Sequence, residues 1–338
     1  MPSFLAARVS VLLSLAAAAL EEDRKAWDRL IAWIDESGGD VTQKLYVDSV
    51  EGLRGIFASA DIENGEKLYH IPAKNIIHGL HDLCDVVKKL RHEMKLGPES
   101  FYAPLLDMQA WDPSISVPAF WDVADLALLD RTPPFDWSRH KEVYDSRKES
   151  CPEIADDIGL RAMEYYVAVS NTCFERIPPG GEASKGDESY GCISPIYGAF
   201  NHHNGLQNFR IEISKEGDMT GFASRFIPAG GEIFNSFGEG TPETFRDYGF
   251  VEPQPQKWWF QSGGKRFDFM LDNDKVHFPA GNIPSTFSTA AAAWLRDPPM
   301  ISMDRTPEQK KIQAYHRAFI DAVRKAEKAA LEEANKEL

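Results

Sequence analysis

Two stretches of this chain echo one another. Phe57-Ala58-Ser59 leads through Asp61-Ile62 to Asn64-Gly65-Glu66 and the run from Lys67 to Ile71. Starting 165 positions later, Phe222-Ala223-Ser224 leads through Phe226-Ile227 to Gly230-Gly231-Glu232 and the run from Ile233 to Phe237. Both read as strand, Gly-Glu turn, strand, and Asn64-Gly65 is a hairpin signal in its own right. The texture between them is helical. An economical solution is a β core assembled from both ends of a region, with the helices inserted.

The rest of the chain divides around that core. Met1 to Leu20 carries one charge, Arg8, ahead of an apolar, Ala-rich run that resembles a cleavable targeting segment and is too short to span a bilayer. A frayed Ala-rich helix is the bland alternative. Trp27, Leu30, Ile31 and Ile34 have helical spacing, closed by Gly38-Gly39. Leu45 to Pro72 is β-like. Residues 81–96 return to helical spacing, residues 97–160 mix helix and loop, and residues 161–174 read as a second amphipathic helix. The loop from Pro178 to Ser189 precedes a β texture from Cys192 to Val251. Thr306, Pro307 and Gln309 open a last long helix with a capping box, and Ile312, Tyr315, Phe319, Ala322 and Val323 form its apolar face.

Composition excludes some function classes. With 37 Lys+Arg against 52 Asp+Glu the net charge is −15, which argues against nucleic acid as the main partner. The four cysteines lack CxxC spacing, so no zinc ribbon is expected, and their number allows four thiols or two disulfides equally. Gly52-Leu53-Arg54-Gly55 lacks the glycines and the GK[ST] of a phosphate loop; taken alone it reads first as an ordinary turn, although its glycines can let backbone approach a ligand closely. In Asn201-His202-His203-Asn204, adjacent histidines on an extended chain point to opposite faces, so a ligand-bonding polar loop is a better reading than a metal site. No GxSxG or cysteine-nucleophile pattern supports hydrolysis.

In order, several motifs resemble the SET-domain methyltransferases, in the split-SET branch of the Rubisco large-subunit lysine and actin-histidine methyltransferases. Gly52–Ala58 with Gly65-Glu66 and Ile71-Pro72 is similar to the opening strands. Ser100–Leu105, Pro118, Trp121, Leu126–Leu129 and Thr132-Pro133 resemble the helical insert. Pro195 with Asn201-His202 resembles the asparagine–histidine motif, and Gly231–Phe234 with Asp247–Val251 the closing segment. The resemblance covers about residues 25–253.

It implies an α+β fold, a SET-domain β core with a helical insert and a short, mostly helical C-terminal region. The implied organisation is a targeting-like segment (1–20), an N-terminal helix (21–46), a first core part (47–80), the insert (81–185), a second core part (186–253) and a truncated helical C-terminal region (254–338). It implies S-adenosylmethionine as cofactor and methyl transfer to a lysine, less readily a histidine, of a non-histone protein. By carry-over, Leu53, Arg54, Gly55, Thr172, Asn201, His202 and Phe250 would serve the cofactor. Phe209, Phe237 and Tyr248 would line the substrate channel, with Phe237 and Tyr248 at the catalytic positions; no metal is implied.

The chain departs from the family pattern in three places. Phe237 stands at the catalytic tyrosine position. Thr172 stands where a serine–arginine pair supplies a cation, and Phe209 is the nearest aromatic to the usual channel tyrosine. Gly198, in place of an aspartate, is a lesser change. These departures open a second reading, a catalytically impaired relative that binds a peptide or partner. The acidity leads us to expect a basic target segment. A monomer without stable membrane insertion is expected, with the leader pointing to the secretory pathway or an organelle such as the plastid, and otherwise to the cytoplasm.

Overall fold

In the computed structural model, residues 2–50, 53–78, 83–108, 116–130, 132–133, 137–151, 156–169, 171–174, 190–238, 240–279, 286–296 and 306–335 are described. The loop expected from Pro178 to Ser189 lies outside them. The chain divides into two compact units. One comprises Met1–Trp111, Cys151–Asn201 and Leu206–Asn235, and the other Asp112–Ser150, His202–Gly205 and Ser236–Leu338. The stretch 81–185 is thus shared between both units.

The echoed segments build the first unit by pairing with each other. The strand Lys67–Ile71 lies between Asp40–Val41 and Met219–Ala223, and the latter pairs in turn with Phe209–Ile213, all antiparallel. Ile62 and Ile227 exchange both backbone hydrogen bonds at 2.9 Å, and the Ala58 and Ile233 amides donate to the Gly231 and Ile56 carbonyls. The expectation of a core assembled from both ends of a region is met. The Asn64-Gly65 turn differs in use: it forms, with Gly65 at φ +84°, but its two arms do not pair as a hairpin. Ile62 pairs with Ile227 instead, because that partner offers a second buried apolar strand end where a local hairpin offers none.

Pro2–Glu36 is one continuous helix joining the leader to the amphipathic segment, and it buries Trp27, Leu30 and Ile34. Among the described residues no helix is long and apolar enough to cross a membrane. The helix expected over 161–174 runs instead from Asp157 to Val169, and Asn171–Phe174 is a strand paired with Tyr190–Ile193. Thr172 and Cys173 therefore sit in a sheet and not at a helix end. Asn171 and Thr172 are poor helix formers, and the ladder satisfies their backbone groups.

Two thiol pairings resolve the open cysteine question. Cys84, in the helix Leu83–Leu96, forms a disulfide with Cys151, and Cys192 is disulfide-bonded as well. The helices Leu83–Leu96 and Asp157–Val169 pack together, and Arg91 grips Asp156 with a two-pronged guanidinium contact, the Nε–Oδ1 arm at 2.9 Å.

In the second unit, the region expected to be mostly helical carries Phe287–Leu295 and Pro307–Ala334, the latter opened by the expected Thr306 capping box. It also holds a three-stranded antiparallel sheet, Gln256–Ser262, Lys265–Asp272 and Lys275–His277, that the sequence reading did not anticipate. One face of that sheet, with Trp258, Phe260, Phe267, Phe269 and Leu271, packs in a core with Trp137, Phe245, Tyr315 and Phe319. The β texture expected up to Val251 is interrupted by the helix Thr241–Tyr248. Pro242 lies in its first turn, Arg246 in its last, and Gly249 closes it at φ +73°.

A Cβ on Gly249 would meet the Ser116 carbonyl oxygen at 2.5 Å, and the left-handed backbone adds strain for any side chain. Gly249→Ala is expected to cost the second unit about 2 kcal/mol or more in urea unfolding, since neither the carbonyl nor the helix end can yield cheaply. An unchanged midpoint would show that this turn relaxes freely.

Candidate functional site

The first unit contributes a polar cradle at the start of the strand Leu53–Ala58. Gly55 sits there because nothing larger fits: a Cβ would strike the Glu232 carboxylate and come within 3.1 Å of Asn201 Nδ2. Asn201 Nδ2 donates to the Arg54 carbonyl at 2.8 Å and to Glu232 Oε1 at 2.7 Å. Both amide hydrogens are thereby engaged, which fixes the amide and leaves Oδ1 as its acceptor. Leu53 is exposed, and the Arg54 guanidinium turns away to Asp23 at 3.0 Å. Burial raises the Glu232 carboxyl above its ordinary value, and the Asn201 hydrogen bond opposes this only in part.

Neighbouring residues stiffen the cradle. Asn208 Nδ2 donates to the Glu232 carbonyl at 2.7 Å and its Oδ1 accepts from the Phe234 amide. The strand Phe234–Asn235 pairs with the short strand that begins at Asn201. Just upstream, Ile196 has φ +65° and ψ −53°, and the Tyr197 amide donates to the Pro195 carbonyl at 2.7 Å. This is a strained γ-turn on a buried β-branched residue. It brings the Tyr197 hydroxyl to a hydrogen bond with Asn235. Phe209, expected at the substrate channel, is 2% exposed and packs 4.6 Å from Phe200 in the core.

The second unit contributes an aromatic stack. The Phe237 ring lies between His202, with centroids 4.5 Å apart, and Tyr248, at 4.2 Å. Phe250 stands tilted at their edge, 6.2 Å from His202 and 6.4 Å from Tyr248. Four of the sequence-named residues therefore meet here. His202 Nδ1 accepts the Phe237 amide at 3.0 Å, which puts the ring proton on Nε2, a buried donor with no partner among the described residues. Burial, then the neighbouring His203 and Lys257, pushes this histidine down to about 4, so the ring is neutral.

Glu252, which sequence reasoning passed over, ties the carriers of the stack together. Its Oε1 accepts from Thr241 Oγ1 at 2.7 Å and from Asn204 Nδ2 at 3.4 Å, while Asn204 Oδ1 accepts from Ser236 Oγ at 2.9 Å. Its Oε2 is buried without a partner among the described residues. Burial pushes its carboxyl up to about 7, opposed chiefly by the Thr241 hydroxyl. The one signal in the sequence was a lone acid directly after the apolar pair Phe250-Val251.

Protonation of Glu252 is linked to stability with a definite sign. Unfolded, the group titrates near 4.5; folded, near 7, so between those values the native state binds the extra proton. Stability must therefore fall as pH rises through about 4.5 to 7. His202 acts oppositely: its depressed folded value makes stability fall as pH drops from about 6.5 toward 4. Glu252→Gln is expected to remove only the first effect, so the melting temperature of the variant should gain on the wild type from pH 5 to 7.5. Parallel pH profiles for the two proteins would refute the assignment.

Among the described residues no group of three or more His, Cys, Asp or Glu could hold a metal ion. A family model described as the SET domain matches residues 53–238. Among solved structures, the chain is similar to the SET domain of LSMT bound to lysine and AdoHcy, with 12% identity, a TM-score of 0.57 and 92% of each chain covered. It is also similar to Rubisco LSMT bound to sinefungin and monomethyllysine, with 12% identity, a TM-score of 0.54, and 90% of this chain and 91% of that one covered. No curated protein sequence matches significantly.

Proposed function

Because the chain belongs to the SET-domain family, with more than half its length matched by the family model, we propose that it is an S-adenosylmethionine-dependent protein-lysine methyltransferase. The observation that carries this reading is the Gly55–Asn201–Glu232 cradle on the matched segment. Gly55 lets the Glu232 carboxylate and the Asn201 amide lie against its backbone, and both hydrogens of that amide are engaged. These residues fit the cofactor's amino-acid end. The LSMT structures, which hold AdoHcy or AdoMet, support the same choice of cofactor.

The cofactor supplies an electrophilic methyl group on a positively charged sulfur. The rest falls to the protein. Asn201 and the backbone of Leu53–Gly55 bind and orient. The ring edge of Phe237, with Tyr248 and Phe250 beside it, excludes water from an acceptor amine, and desolvation favours the neutral amine that in-line attack requires. His202, neutral and stacked on Phe237, adds no positive charge that would repel the entering ammonium.

The net charge of −15 supports a basic segment on a non-histone protein as target, with the chain acting as a monomer. The disulfides and the signal-like leader together support an oxidising compartment reached by import. A histidine acceptor is the lesser alternative. A second reading, a peptide-binding relative with impaired catalysis, is favoured by Phe237 and Thr172.

Calorimetric titration with S-adenosylhomocysteine, followed by radiolabelled S-adenosylmethionine and extracts of secreted and organellar proteins, tests these readings. Binding and transfer of label to lysine are expected. Binding without transfer would favour the partner-binding reading, and no binding would overturn the methyltransferase.

A further inference from the structure

We infer that the Glu232 carboxylate is the counter-charge for a primary ammonium group, the one on the amino-acid end of S-adenosylmethionine, with Asn201 Oδ1 as its second acceptor. The inference rests on the cofactor reading above and assigns a role to a residue that reading leaves out.

The chain contains its own comparison. Glu66 and Glu232 follow glycine in the two echoed turns. Glu66 is met by Lys44 Nζ at 2.7 Å, and that ammonium holds its carboxyl below the ordinary value. Glu232 has no such cation among the described residues; its one side-chain partner is Asn201, and its carboxyl is shifted the other way. A half-buried carboxylate without a counter-charge is costly to maintain. The Arg54 guanidinium, on the residue whose carbonyl shares the Asn201 amide, is held by Asp23 instead.

The donor inventory then selects the ligand group. Both hydrogens of the Asn201 amide are spent on the Arg54 carbonyl and on Glu232 Oε1. What the cradle still offers is acceptors: Asn201 Oδ1, the second Glu232 oxygen and the remaining lone pair of the Arg54 carbonyl. Among the side chains of the cradle this inventory favours a donor ligand over an anion. A compact cation with several N–H donors satisfies all three at once, and charge-assisted bonds of this type are the strong ones. Gly55 keeps the approach open, since any side chain there would displace the carboxylate.

The experiment compares S-adenosylhomocysteine, which carries the ammonium, with 5′-methylthioadenosine, the same thioether nucleoside without the amino-acid end. Affinities of the wild type, Glu232→Gln and Glu66→Gln are read by displacement of radiolabelled S-adenosylmethionine, which also registers weak binding. Glu232→Gln is expected to weaken S-adenosylhomocysteine tenfold or more and 5′-methylthioadenosine less than twofold, with Glu66→Gln matching the wild type on both. Equal weakening of both ligands would mean a merely structural role and overturn the inference, as would an unchanged S-adenosylhomocysteine affinity. In both cases the cofactor reading survives. A wild type that binds neither nucleoside overturns that reading and the inference with it.

Discussion

Phe237→Tyr should raise the rate of methyl transfer to a lysine-bearing protein by about 10²–10³-fold, roughly 3–4 kcal/mol of transition-state stabilisation. The reason is local. The ring is half-buried between the faces of His202 and Tyr248, and its amide is already anchored on His202 Nδ1. Adding a hydroxyl to the ring edge keeps both stacks and the backbone contact. It supplies the hydrogen bond that the resemblance assigns to this position and that Phe237 cannot make. Affinity for S-adenosylhomocysteine should stay unchanged, because the Gly55–Asn201–Glu232 cradle is not touched by the substitution. Single-turnover kinetics separates the two quantities. A folded variant with unaltered affinity and no gain in rate would favour the partner-binding reading.

Removing the Cys84–Cys151 bridge by paired serine substitutions should lower the stability of the first unit by about 4 kcal/mol. The sequence separation of 67 residues makes the closed loop long, and the Cα–Cα distance of 5.6 Å lies in the ordinary range for a disulfide. The bridge fastens the start of the helix Leu83–Leu96 to the segment leading into Asp157–Val169. The Arg91–Asp156 pair joins the same two elements, but it is exposed enough that it cannot compensate. Thermal melts under oxidising and reducing conditions should show the wild type converging on the variant when reduced. A wild type indifferent to reductant would show that the bridge does not bear on stability, and would remove one support for an oxidising compartment.

The echo of Phe57–Ile71 in Phe222–Phe237 was legible because it depends on patterns within a dozen residues: β-prone runs, and glycines where a turn needs them. The Thr306 helix was legible for a like reason, since its cap, its first-turn proline and its apolar spacing are all local. The Thr241–Tyr248 helix carried the same local signals in Pro242 and Gly249, but the aromatic residues on either side masked them as β texture. The end of the helix at Val169 and the sheet Gln256–His277 were hidden for another reason. Both depend on ladder partners, and Asn171–Phe174 is a strand because Tyr190–Ile193 lies beside it.

The same division runs through the candidate site. Gly55, Asn201, His202, Phe237, Tyr248 and Phe250 could be named from residue type and order. Their groupings could not: the stack of His202, Phe237 and Tyr248 joins residues up to 46 positions apart, and Phe209 proved to be core. Glu232 could be quoted as part of a motif, and Glu252 as an acid after an apolar run. Neither could be given a role, because a carboxylate's role depends on what meets it.

By itself, the amino-acid sequence determined that two distant strand–turn–strand segments would form one β core, and it placed residues that resemble a cofactor loop, Leu53–Gly55, just ahead of the first of them. Only the tertiary structure decided that Glu66 is met by Lys44 while Glu232 meets no cation among the described residues. Pattern is a short-range property of the chain. Charge compensation and burial are set by groups that folding brings together from far apart, and they give two like residues in like motifs different surroundings.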